Sequence, residues 1–250
     1  TVRERMAGKT AGVPESVIAM LTDFERAEEG YNALSGLLGD DDMAVLACQL
    51  EAAALCCDKM MARGVPEQVM VDTMKCFSRF VGEHMASFGR YGFDRGFWTV
   101  RQVSARLFRI GQLEYEMTTL DGEPIISLHI PTDVDLRPEV LRPSVKEGME
   151  EFFRIFPEYV GKTVYCHSWL LSPLLKDFLP ENANILKFQE MFDMEPEGIP
   201  GNGVVLWVFK NPKLPKEQYP ENTSLQRKLK QFFLNDGQFV EGKGYLRLPL

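Results

Sequence analysis

The sequence predicts an α+β protein, an α/β layer fold attached to a helical domain. A helical N-terminal domain over residues 1–110 precedes a mixed β-sheet flanked by helices over residues 111–250. Two observations carry this prediction. Apolar residues recur three or four apart up to about residue 110 and two apart after Gly111, the periods of a helix and of a strand. Beyond that change, helix-like and strand-like stretches alternate, which is how a sheet comes to be covered by helices. With 250 residues and a hydrophobic fraction of 45%, the chain has material for a real core.

Taken in order, Pro14 stands in a first-turn position, with Val17, Ile18, Leu21 and Phe24 at helical spacing behind it. Gly36, Gly39 and the run Asp40-Asp41-Asp42 break the pattern, and the acidic run favours the start of a helix over about 42–63 that Gly64 closes. Pro66 opens a third helix, striped by Val69, Met70, Met74, Phe77, Phe80, Val81 and Met85, which Gly89 ends. The aromatics around Gly92 and Gly96 read as a packed elbow into a fourth helix that Gly111 terminates.

Residues 112–117 and 125–130 then alternate as strands, and Asp121-Gly122 between them predicts a hairpin. There follow a helix over 145–156, a strand over 163–169, helical segments within 173–193, a strand over 203–209, a helix over 224–234 and a strand over 244–248. Ser144 and Glu147 have the spacing of a capping box at the start of the first of these helices. Strands 125–130 and 163–169, joined through that helix, form a parallel crossover, so their carboxyl ends border one cleft. The helix start beside that cleft is where such a sheet receives a phosphorylated ligand, with Arg137 and Arg142 near enough in sequence to supply charge.

Composition removes several classes of function. The net charge of −8 divides into −5 over the first hundred residues and −3 over the rest, so no basic surface for nucleic acid is expected. No apolar run nears the ~20 residues of a membrane span, and the opening TVRERMAGKT lacks the apolar core of a secretory signal. A soluble, cytoplasmic protein without a membrane partner is expected. Five cysteines without a Cys-x-x-Cys pair argue against a disulfide framework and a structural zinc, and the histidines lack metal-ligand spacing. No metal is expected, and the sequence gives no oligomeric state.

The chemistry concentrates in Thr163-Val-Tyr-Cys-His-Ser-Trp-Leu-Leu171. In a strand Val164, Cys166, Ser168 and Leu170 share one face while Tyr165, His167, Trp169 and Leu171 share the other, so Cys166 and His167 are not a nucleophile with its base. His129, near the end of the neighbouring strand, is the other imidazole of this layer. Three readings stay open: residues lining a cleft, half-buried side chains with their N–H groups satisfied, and a Cys166 thiol with His129 as base.

With these residues in hand, the chain resembles a bacterial acyltransferase-like family having a helical N-terminal domain and a GNAT-like C-terminal domain. The likeness rests on residues 107–115 (LFRIGQLEY), His129-Ile-Pro131, Ser144 with Glu151-Phe-Phe153, Cys166-His-Ser-Trp-Leu-Leu171, Asn184-Ile185, Phe188 and Leu225-Gln226. The resemblance implies a GNAT-like mixed β-sheet whose two central parallel strands part to admit the pantetheine arm of an acyl-CoA. It implies an acyl-CoA-dependent N-acyltransferase, in which the amine of a small molecule or peptide attacks the thioester directly.

On this reading His129 is the base and Glu114 the reserve base, while Tyr165 or Ser168 protonates the departing thiolate. Ile130, Arg137, Arg142, Ser144 and Val145 bind coenzyme A, and Cys166, His167 and Trp169 line the cleft. The alternative is a catalytically silent GNAT-fold module that binds a metabolite or peptide in the same cleft.

Overall fold

The computed structural model describes residues 2–247. The chain divides into two compact units: residues up to Ile110 together with Glu114–Met117, and Gly111–Leu113 together with the chain from Thr118 onward.

The first unit is built from helices α1 (Val2–Met6), α2 (Glu15–Leu21), α3 (Ala27–Leu38), α4 (Asp42–Ala62), α5 (Glu67–Met74), α6 (Cys76–Phe88) and α7 (Gly96–Val103). The side chain of Asp41 accepts from the Ala44 N–H at 3.1 Å, so the acidic run does cap α4. Ten residues of α4, from Met43 to Met60, are buried, as befits a helix surrounded by others. The buried Gln49 Nε2 donates to the Gly96 carbonyl at 2.9 Å and its Oε1 accepts from Thr99 Oγ1, tying α4 to α7. The third helix of the sequence reading is two, parted at Lys75. The fourth does not reach Gly111: it ends at Val103, and Leu107–Ile110 is strand β1. Ala105, at φ 54° between them, takes a left-handed conformation that no helix continues.

Strand β2 (Leu113–Leu120) and strand β3 (Glu123–His129) are joined by Asp121 and Gly122, both at positive φ, the conformation of a two-residue hairpin turn. After β3 come α8 (Pro138–Ile155), β4 (Val164–Ser168), α9 (Leu175–Phe178), α10 (Asn184–Gln189), β5 (Phe192–Met194), β6 (Ile199–Pro200), α11 (Gly203–Val208), α12 (Ser224–Leu234) and β7 (Val240–Leu246). Among the described residues seven strands form a mixed sheet of order β1-β2-β3-β4-β7-β5, with β6 on β7. The β3–β4 pair is parallel, and β7 runs antiparallel to β4 and β5. Leu141, Val145, Gly148, Met149 and Phe152 make one buried stripe along α8 at helical spacing. Leu128, Cys166, Phe188 and Phe192 are likewise enclosed.

Two expectations are corrected here. Residues 203–208 are helical, not a strand; a short run such as GVVLWV fits either by periodicity, and burial of Val204 and Val205 in a cluster with Phe209, Tyr219, Leu229 and Phe233 decided it. The helix expected from 145 starts at Pro138 and runs through Pro143. Ser144 is therefore in its second turn and forms no capping box. Its Oγ instead accepts from the Gln112 N–H at 2.9 Å.

Candidate active site

The site is built by the way β3 and β4 separate. Their paired register, among the described residues, is Ile126 opposite Val164 and Ser127 opposite Tyr165. β3 continues to His129 and β4 to Ser168, while β4 stays paired with β7 as far as Ser168 opposite Gly242. Two neighbouring parallel strands thus stop pairing two residues before their imidazoles. Residues opposite one another share a face, so by period two His129, Tyr165, His167, Glu241, Lys243 and Tyr245 belong to one face. On the other, Val164, Cys166 and Leu128 are buried.

Beyond the parting, β4 becomes a 3-10 turn, Trp169–Leu171. Ser168 caps it, its Oγ accepting from the Leu170 N–H at 3.2 Å. The turn presses on β7 at Gly242, where a Cβ would stand 1.9 Å from the Leu171 carbonyl oxygen. Only glycine lets the two backbones approach in this way. The strand alternation predicted through Leu171 therefore ends at Ser168, and Trp169 packs against the cluster around Phe233.

On the face shared with His129, His167 Nε2 lies 3.2 Å from Glu241 Oε2. This is a diagonal cross-strand pair, since His167 stands opposite Lys243. The other oxygen of Glu241 accepts from the Gly203 N–H at 2.6 Å. A Cβ at Gly201 or Gly203 would come within 2.5 Å of this carboxyl group, so the two glycines make the space it fills. The bond from His167 holds the Glu241 carboxyl below the usual carboxylate range, against the opposing effect of burial, with the Gly203 N–H assisting. Further along the face, Tyr245 Oη donates to Glu195 at 3.1 Å and Lys243 Nζ lies 3.7 Å from the same carboxylate. Burial, with Glu195 and Tyr245 adding to it, pushes the Tyr165 phenol up to about 12.

Residues 107–246 match the family described as a GNAT-like C-terminal domain. The chain belongs to that family. Residues 10–105 match an N-acyltransferase N-terminal domain. Among solved structures, the GNAT-like chain is similar to an acyltransferase in complex with decanoyl-CoA and teicoplanin, at 23% identity and a TM-score of 0.79, over 94% of this chain and 76% of that one. The same figures hold for an acyltransferase in complex with CoA and 10C-teicoplanin. An acyltransferase in complex with decanoyl-CoA is similar at 22% identity and a TM-score of 0.73, over 96% of this chain and 82% of that one. No protein with a curated description matches it.

The fold brings His129, Tyr165 and His167 to one face and leaves other expected site residues elsewhere. Glu114 is enclosed within the first unit, where Arg79 Nη2 donates to its carboxylate at 2.7 Å. Cys166 is fully buried, and burial pushes its thiol up, which is the opposite of an activated nucleophile. Val145 is enclosed on the buried stripe of α8. Arg137 is held on both carboxylate oxygens of Asp135, its Nε donating to Oδ1 at 3.0 Å and its Nη2 to Oδ2 at 2.5 Å, and Arg142 lies 4.0 Å from Glu190; both arginines and Glu190 are well exposed. Ile130 follows the last residue of β3, outside the ladder. Glu241 was missed. Its signal was the glycine pattern Glu241-Gly-Lys-Gly244 together with Gly201-Asn-Gly203, since glycine inside a strand marks a close approach.

Among the described residues no helix is long and apolar enough to cross a membrane.

Proposed function

We propose that this protein transfers an acyl group from an acyl-CoA to the amine of a small molecule or peptide, by direct attack on the thioester. The observation that carries this is the parting of β3 and β4 after Ser127 and Tyr165. Where two neighbouring strands part, an extended amide-bearing chain such as pantetheine can lie along the strand edge between them. The start of α8 suits the pyrophosphate in that it has no side-chain cap. Arg137 would exchange Asp135 for phosphate oxygens there. Related acyltransferase structures hold CoA or decanoyl-CoA, and some hold teicoplanin, a glycopeptide, which agrees with a small-molecule or peptide acceptor.

In this scheme His129, at the tip of β3, is the base that takes a proton from the attacking nitrogen, and strand β3 polarises the thioester carbonyl. Tyr165, whose raised phenol keeps its proton at neutral pH, is the donor to the leaving thiolate. Ser168 alternates to the opposite face of β4 from Tyr165, and its Oγ accepts from the Leu170 N–H.

Calorimetric titration with octanoyl-CoA tests the reading. Saturable binding, weakened about tenfold by Arg137→Ala through loss of one charge-assisted phosphate contact, is expected. Absence of heat at millimolar ligand would refute it, and binding without thiol release towards any amine would make the protein a binding module.

A further inference from the structure

Amide formation from an amine at neutral pH sheds more protons than one base handles. The acceptor arrives as an ammonium ion carrying three hydrogens, and the amide nitrogen keeps one. Two protons therefore leave nitrogen, and one of them is balanced by the thiolate that becomes a thiol. The scheme above uses His129 for one of the two.

A second acceptor stands on the same face. His167 is two residues past the last residue of β4 that pairs with β3, as His129 is two past the last residue of β3 that pairs with β4. Its Nε2 faces a Glu241 oxygen at 3.2 Å, and Glu241 is fixed by the Gly203 N–H. A carboxylate only accepts, so Nε2 carries the hydrogen and Nδ1 presents the lone pair. The His167 side chain is 39% exposed and that of Glu241 15%, which puts the base within reach of solvent-borne substrate and its partner out of it. The other titratable groups that register and period two put on this face are Glu123, His129, Tyr165, Asp193, Glu195, Lys243, Tyr245 and Arg247, the last paired with Asp193 at 2.6 Å. Lys243, directly opposite His167, has its charge answered by Glu195 at 3.7 Å.

We propose that His167, oriented by Glu241, is a second base of the site, removing the first proton from a cationic acceptor amine before His129 takes the second. The inference rests on the acyl-transfer reading. His167 Nδ1 accepts a proton from the ammonium ion, and the imidazolium formed is neutralised by Glu241. The nitrogen lone pair so freed forms the C–N bond at the thioester carbon, and His129 takes the second proton from that nitrogen. The C–S bond breaks with its electron pair on sulfur, and the thiolate is protonated from Tyr165, which His129 then reprotonates. His167 returns its proton to water, so one proton is released per turnover.

The test uses acceptors that differ only in whether the first step is needed. Thiol release from octanoyl-CoA is followed with 2-phenylethylamine, cationic at neutral pH, and with aniline, which is neutral there. His167→Gln is expected to lower kcat/KM for 2-phenylethylamine by about 10²-fold, the usual scale of general-base assistance, and to lower it far less for aniline. The loss on 2-phenylethylamine shrinks as the pH is raised and the amine deprotonates in solution. Glu241→Gln, which keeps the acceptor for Gly203, shows the same amine dependence more weakly and carries the test if His167→Gln does not fold. His129→Gln lowers activity on both amines. Equal losses on the two amines, or no recovery at high pH, overturn the second base while leaving acyl transfer standing. Binding of octanoyl-CoA with no thiol release towards either amine overturns it as well. Failure of the wild-type protein to bind octanoyl-CoA overturns acyl transfer itself.

Discussion

The helical unit and the sheet unit each hold a glutamate against a basic side chain, to different ends. Glu114 and Arg79 meet at 2.7 Å with side chains 3% and 12% exposed, both enclosed. Glu241 and His167 meet at 3.2 Å with the imidazole at the surface, and histidine can give up its charge where arginine cannot. Two carboxylate contacts of similar geometry are thus a fixture in one unit and, on the proposal above, a proton-handling pair in the other. What separates them is solvent access and the identity of the base, not the carboxylate.

The largest expected effect probes the fixture. Glu114→Ala removes the carboxylate that the enclosed Arg79 guanidinium donates to at 2.7 Å, and urea unfolding should show a loss of about 3–5 kcal/mol. Replacing both partners by leucine and methionine should recover most of it, because the desolvation cost goes with the charges. A comparable loss for Glu241→Gln would break the contrast between the units.

Gly242→Ala sharpens it from the other side. A methyl 1.9 Å from the Leu171 carbonyl forces the 3-10 turn away from β7, with an expected loss of about 1–3 kcal/mol in thermal unfolding. Because that turn follows Ser168, amine-dependent activity should fall further than stability.

The smallest effect lies in acid. Glu241 titrates below its ordinary value in the folded protein, so the unfolded chain binds more protons there. The stabilisation is therefore fully present above the ordinary glutamate pKa of about 4.3 and is lost as pH falls through the lower folded value. Wild type should exceed Glu241→Gln by about 1 kcal/mol or less, since half of the pair is solvent-exposed. The difference should vanish in that acidic window and stay flat just above it. A difference that grows on acidification would mean the sign is wrong.

Much of this architecture was legible in the chain. The Asp40–Asp42 run marked the start of α4, Asp121-Gly122 marked the hairpin, and the order of strands 125–130 and 163–169 placed two imidazoles at neighbouring tips. Ser144 misled because a capping spacing describes a local option, and the fold used its hydroxyl for the Gln112 N–H instead. Residues 203–208 misled because a short apolar run is a helix or a strand according to what covers it. The upstream part of β7 was hidden by its glycines, which weaken any strand pattern, and Glu241 was hidden with it.

The sequence by itself determined the change of period at Gly111, the parallel pairing through one helix and the residues at the strand tips, because these follow from side-chain alternation and local turn chemistry. Only the tertiary structure decided that β3 and β4 part after Ser127 and Tyr165, that Glu241 reaches His167 across a third strand, and that Glu114 is spent on Arg79. Those contacts join residues dozens of positions apart, and their energies come from burial and from backbone approach at glycine, which no short stretch of the chain specifies.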